Sequence, residues 1–201
     1  MPDILNKIDE SPVFKHKGAT FVKSALDYVD SGNFFRAPVW WLYVLIGLLS
    51  AFAPFYLLFK AFIPMFKHMP AWPIIVFIVI WFILLAGGIV GFLIWWNRKD
   101  QLAALVPVGD DFPVTPVFAH FYRTLSEWTG FMVGVVFFLA SLVFYVLVGK
   151  ETRGILPVGL GQIFILPVIG FVIIFASRFI AEQIRALAAI ASNTGKLVDK
   201  K

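Results

Sequence analysis

Four apolar runs, none containing a charged residue, set the limits on what this chain can become. They cover residues 37–59, 74–96, 128–148 and 155–177. A bilayer core about 30 Å thick takes roughly 20 helical residues at about 1.5 Å each, and every run reaches that length. Inside lipid the backbone must satisfy its own hydrogen bonds, so such runs cross as helices. The expected fold class is an all-α integral membrane protein with four transmembrane helices.

Composition agrees. Hydrophobic residues make up 60% of the 201 positions, and charged ones 14%. Soluble chains sit nearer about 45–50% apolar. Mean hydropathy is +0.87. There is no cysteine, hence no disulfide and no thiolate metal site. The net charge of +5 is carried by basic residues that flank the apolar runs, so it does not point to nucleic acid.

The runs divide the chain. Residues 1–36 form a cytoplasmic N-terminal segment, and 37–99 a first transmembrane hairpin. Residues 100–123 form a cytoplasmic loop, 124–192 a second hairpin with an extended helix, and 193–201 a tail. The polar start shows no short hydrophobic core with a cleavage site, so the first span is expected to stay as an anchor. Within it, 19–31 places Phe21, Val22, Ala25, Leu26 and Val29 at helical spacing opposite Lys23, Asp27 and Asp30. This amphipathic helix suits the membrane interface, a partner, or the protein's own loops. Trp40, Trp41 and Tyr43 begin the first span as an aromatic belt would, and Pro54 should kink its far half. Residues 60–73, with Pro64, Pro70 and Pro73, read as a short loop. Pro107, Gly109, Asp110, Asp111, Pro113 and Pro116 predict turns in the 100–123 segment.

Four spans put both termini on one side. With that side cytoplasmic, Lys60, Lys67, Lys150 and Arg153 lie outside and the other thirteen of the 17 Lys and Arg lie inside. The positive-inside rule therefore predicts both termini in the cytoplasm.

The halves resemble each other. Phe34-Phe35-Arg36 followed by Trp41 matches Phe121-Tyr122-Arg123 followed by Trp128, 87 positions on. Gly91-Phe92-Leu93-Ile94 before Arg98 matches Gly170-Phe171-Val172-Ile173 before Arg178. This predicts two helical hairpins in the same orientation, a parallel repeat.

The second half carries a further pattern. Phe121, Arg123 and Leu125 precede a span, and the next span ends in Arg178, Glu182, Arg185 and Ile190. This two-helix unit, over roughly 119–194, resembles small bacterial inner-membrane proteins of a domain-of-unknown-function family. The first half departs from it, since Asn97-Arg98-Lys99-Asp100 lacks the extended Arg-Glu-Arg helix. The resemblance implies a bacterial inner membrane and names no activity.

Catalytic chemistry has no foothold in the pattern. His16, His68 and His120 fall in separate segments without metal-ligand spacing, and no cofactor loop or nucleophile motif is present. Asp110 and Asp111 read as a solvated turn. Uncharged spans argue against a proton relay or an ion-coupled transporter. No catalytic residue, metal site or cofactor is therefore expected.

Two other groups stand out. Gly87 and Gly91, Gly130 and Gly134, and Gly47 with Ala51 place small residues four apart, a spacing that lets helix backbones approach. Such faces pack the monomer, self-associate, or meet a partner helix. At the cytoplasmic face, Arg36, Arg123, Arg178, Glu182 and Arg185 form a candidate charge cluster, with Glu182 between Arg178 and Arg185 on one helical face. Ile180, Ile184, Leu187 and Ala191 form an aliphatic stripe beside it. The expected function is a non-enzymatic scaffold or accessory subunit acting through helix contacts. Its partners would be the bilayer and a second copy or another membrane protein. The alternative is a small oligomeric channel or transporter.

Overall fold

A computed structural model of the chain describes residues 22–24, 28, 33–105, 114–147 and 160–198, nearly all helical. Helix α1 (Asn33–Leu57) passes through a π turn (Leu58–Phe62) into α2 (Ile63–Phe66). Helix α3 covers Ala71–Ala103. Helix α4 (Thr115–Phe131) passes through a second π turn (Met132–Phe137) into α5 (Phe138–Leu147). Helix α6 runs unbroken over Leu160–Val198. These make four helices long and apolar enough to cross a membrane.

Several helices outrun their apolar stretches. The 60–73 segment is not a loop: helix continues to Phe66 and resumes at Ala71. Pro54 has no N–H to give the preceding turn. The wider π turn that follows it at Leu58 keeps the chain helical, and Lys60 lies within that turn. Only Lys67 to Pro70 turn the chain, with the His68 N–H on the Met65 carbonyl at 3.2 Å. At the other end, α3 carries on through Asp100 and Gln101, and α4 begins at Thr115, with Pro116 in a first turn that has no N–H to lose. The 100–123 segment is thus helical at both ends. Asp110 and Asp111 lie outside the described residues, as does 148–159. So does the amphipathic stretch 19–31, apart from exposed helical positions Val22, Lys23, Ser24 and Tyr28. The tail is helical to Val198, although Gly195 lies within it.

The first span packs chiefly on the second and the third chiefly on the fourth, while the second also contacts the third. The hairpins run antiparallel. Tyr43, early in the first span, meets Trp95, late in the second, with ring centres 5.0 Å apart. At the opposite end Phe62 meets Phe77, and Phe77 meets Phe144.

Small residues set the spacing between helices. A methyl group on Gly130 would come within 2.7 Å of the Gly170 carbonyl oxygen, and one on Gly134 within 3.2 Å of the Gly170 Cα. On Gly87 it would strike Val136 at 2.5 Å, on Gly91 the Trp128 indole nitrogen at 2.8 Å, and on Gly47 the Trp95 Cβ at 3.3 Å. Gly88, beside Gly87, lies equally close to the Ser50 carbonyl. Such close approach gives the helices extensive van der Waals contact, the interaction that would hold them in lipid, where there is no hydrophobic drive between helices. The outer surface is correspondingly apolar: Phe52, Phe82, Phe171 and Phe175 are all exposed. Tyr43 departs from the expected aromatic belt. It is fully buried, because its hydroxyl finds protein partners.

Candidate functional site

A group of polar residues from all four helices converges at one end of the bundle. Glu127 is their centre. It lies on α4, one residue before the apolar run that starts at Trp128. Its carboxylate accepts from Arg98 of α3 at 2.7 Å, from Arg123 of its own helix at 3.1 Å and from Arg178 of α6 at 3.0 Å. One negative charge thus holds three guanidinium groups from three helices. The Arg123 contact is an i, i+4 pair and follows from sequence spacing. The other two require α3 and α6 to close on α4.

The Glu127 side chain is 12% exposed, whereas Arg123 and Arg178 are 37% and 51% exposed. The carboxylate is therefore the sheltered member and the arginines reach it from the surface. Their aliphatic stems can stay against apolar neighbours while the charged heads meet.

A second network extends this one. Arg98 also donates to Gln101 at 2.8 Å, and Gln101 Oε1 lies 3.5 Å from His120 Nε2. The Tyr43 hydroxyl lies 2.8 Å from His120 Nδ1 and donates to Thr124 Oγ1 at 3.3 Å. The Thr124 hydroxyl in turn donates to the His120 carbonyl at 2.9 Å. Tyr43 belongs to the first span, so the chain of contacts from Tyr43 to Arg178 joins all four. Lys99 closes the remaining side. Its ammonium sits 4.0 Å from the Trp96 ring centre and 5.2 Å from that of Trp40, with Asp100 at 3.0 Å.

The residues singled out from sequence fall in three places. Arg123 and Arg178 meet on Glu127. Glu182 and Arg185 do not reach it. With Arg123, Arg178 and Ala181 they line a small polar cavity of about 120 Å³ alongside. Glu182 makes no ion pair among the described residues, so the clamped carboxylate is Glu127 and not Glu182. Arg36 is elsewhere, donating to the Leu105 carbonyl at 2.9 Å and so tying the start of α1 to the end of α3. The aliphatic stripe also differs. Ser177, Ala181, Ala188 and Ser192 are the buried positions of the α6 extension, while Leu187 and Ile190 are exposed. Small side chains allow close approach, and the large ones are left outside.

Glu127, Arg98, Gln101, His120 and Tyr43 were not legible as a site. Tyr43 reads from sequence as part of an aromatic belt, Arg98 as a basic flank and His120 as a lone histidine, and the i, i+4 spacing of Arg123 and Glu127 is the one signal that could have shown a pairing. No group of His, Asp and Glu that could hold a metal occurs among the described residues.

No protein-family model, curated protein or solved structure matches this chain. Its function has to be argued from the residues themselves.

Proposed function

We propose that the protein is a multi-pass component of a bacterial inner membrane, with both termini in the cytoplasm. In this reading it is a non-enzymatic scaffold or accessory subunit that acts through helix contacts. The location rests on the basic asymmetry of the loops and on the resemblance of 119–194 to two-helix inner-membrane proteins. The activity rests on one observation above the rest. The α6 extension leaves Leu187, Ile190 and Leu197 between 62% and 67% exposed, beyond the apolar run and past the charge cluster. These positions share one helical face at i, i+3 and i+10. Apolar side chains carried outside the bilayer on a continuous helix suit a groove on another membrane protein. The Glu127 cluster gives this projection a fixed base, since it pins α6 to α3 and α4.

A channel or transporter has weaker support. An apolar cleft of about 360 Å³ between the first three spans is lined by residues such as Ile46, Leu49, Pro54, Leu84 and Met132. Polar solutes would find nothing there to replace their water. Ser50 and Thr129 spend their hydroxyls on their own helix, on the Ile46 and Leu125 carbonyls.

The test is purification in mild detergent with quantitative mass spectrometry. A membrane protein should appear in fixed ratio with the wild type, or the chain with itself. The Leu187→Glu, Ile190→Glu pair should abolish that, and Lys200→Ala should not. Unchanged composition in the double variant, or solute flux through liposomes containing the protein alone, would defeat the scaffold reading.

A further inference from the structure

The cavity beside Glu127 has chemistry that the ion-pair cluster leaves unused. Three arginines line it, Arg123, Arg178 and Arg185, against one carboxylate, Glu182. Arg123 spends its Nε and Arg178 one terminal nitrogen on Glu127. A guanidinium has five N–H donors, so both retain several. Arg185 makes no hydrogen bond or ion pair among the described residues. Counting Arg98 and Glu127 as well, four positive charges face two negative ones. Such an excess at the edge of a low-dielectric region favours a bound anion.

The surface next to the cavity says which anion. On α6, Phe171, Phe175, Arg178, Glu182 and Arg185 recur at i, i+4, i+7, i+11 and i+14, and so share one face. Phe171 and Phe175 are 68% and 65% exposed, their rings stacked with centres 6.2 Å apart. The face therefore changes from exposed aromatic to cationic within one turn, at Arg178. A soluble anion has no use for the aromatic half. An amphiphile with an anionic head uses both.

We propose that this face is a binding site for an anionic phospholipid. The phosphate enters the cavity among Arg178, Arg185 and the free donors of Arg123, where guanidinium and phosphate oxygens match in bidentate geometry. The acyl chains lie along Phe175 and Phe171. Glu182 accepts from headgroup hydroxyls, which favours a polyol headgroup over choline. Basic pockets between spans on the cytoplasmic side are suited to such lipids. The site rests on the membrane placement proposed above, which membrane fractionation tests separately. It does not rest on the scaffold activity.

The experiment uses the full-length protein, delipidated in neutral detergent, with retained lipid read by native mass spectrometry. Phosphatidylglycerol, phosphatidylcholine with the same chains, and inorganic phosphate are titrated in parallel. Phosphatidylglycerol should bind at least about tenfold more tightly than phosphatidylcholine, and millimolar phosphate should not displace it. Arg185→Gln should weaken phosphatidylglycerol about tenfold, as expected for loss of a charged hydrogen-bonding partner. Arg185→Lys should fall between, and Lys196→Gln on the same helix should change nothing. Arg185 lies outside the Glu127 ion pairs, so the lipid-free variant should melt with the wild type. Equal affinity for the two lipids, or an unaltered Arg185→Gln variant, leaves only general solvation by lipid and overturns the site. Displacement of the lipid by phosphate would make this a soluble-anion pocket and overturn the lipid assignment.

Discussion

Glu127 and Arg178 are 51 positions apart in the chain and 3.0 Å apart in space. The contact crosses from the start of the third apolar run to the end of the fourth. It fixes the height of α6 against α4, because neither side chain can reach the other if the helices slide by a turn. Arg98 sets the same constraint on α3. One carboxylate thereby registers three helices at one end of the bundle, while the glycine contacts register them along its length.

The first prediction concerns that carboxylate. Glu127→Gln leaves three guanidinium groups facing one another without a counter-charge. Breaking a fully buried pair costs about 3–5 kcal/mol, and surface exposure of Arg178 should reduce this to roughly 2 kcal/mol. Glu182→Gln removes an exposed carboxylate with no ion pair among the described residues and should cost under about 0.5 kcal/mol. Thermal unfolding in detergent compares the two. Equal melting temperatures would mean that Glu127 does not hold the helices.

A second prediction follows from a close approach of two helix backbones. A methyl group on Gly170 would fall 2.5 Å from the Gly130 carbonyl oxygen and 2.6 Å from the Gly134 Cα, both backbone atoms that cannot turn aside. Gly170→Ala should therefore cost about 1–3 kcal/mol through overpacking. On the same helix Gly161 has nothing within 4 Å of the added methyl. Gly161→Ala should be neutral or stabilise by up to about 1 kcal/mol through helix propensity. Aggregation temperature in detergent, measured for both variants, reads the contrast, and a milder effect at Gly170 than at Gly161 would contradict the packing.

The third concerns orientation. Reporter fusions at Lys67 and at Glu151 should score on the periplasmic side, and one at Asp110 on the cytoplasmic side. The Glu127 cluster would then lie at the cytoplasmic surface, where anionic headgroups and loop arginines meet. A periplasmic signal at Asp110 would invert the arrangement and with it the expected position of the α6 extension.

The helical architecture was legible for a physical reason. In a bilayer the backbone bonds to itself within each segment, so length and apolarity alone decide that a run is helical and long enough to cross. The unbroken passage of α6 through Ser177 and Arg178 was readable in the same way, since no helix breaker stands there. The ends of the helices were harder to read. Lys60 and Asp100 look like loop residues by polarity, yet helix passes through both, at Lys60 by way of the π turn between Pro54 and Pro64.

The partners that charges find on other helices lay beyond the sequence. Glu182 sits between two arginines on its own helix and reads as the clamped acid, but Glu127 holds that place. Spacing along one helix says which side chains share a face. It says nothing of how far that helix is rotated or raised against the next. Those two quantities depend on how Gly130 and Gly134 seat against Gly170, and on how Gly87 and Gly91 seat against Val136 and Trp128. The sequence by itself determined that this protein is built of helices able to cross a membrane, because that depends on local backbone hydrogen bonding and side-chain transfer. Only the tertiary structure decided that Arg98, Arg123 and Arg178 share Glu127 and leave Arg185 unpaired among the described residues, because pairing between helices is settled by their packing.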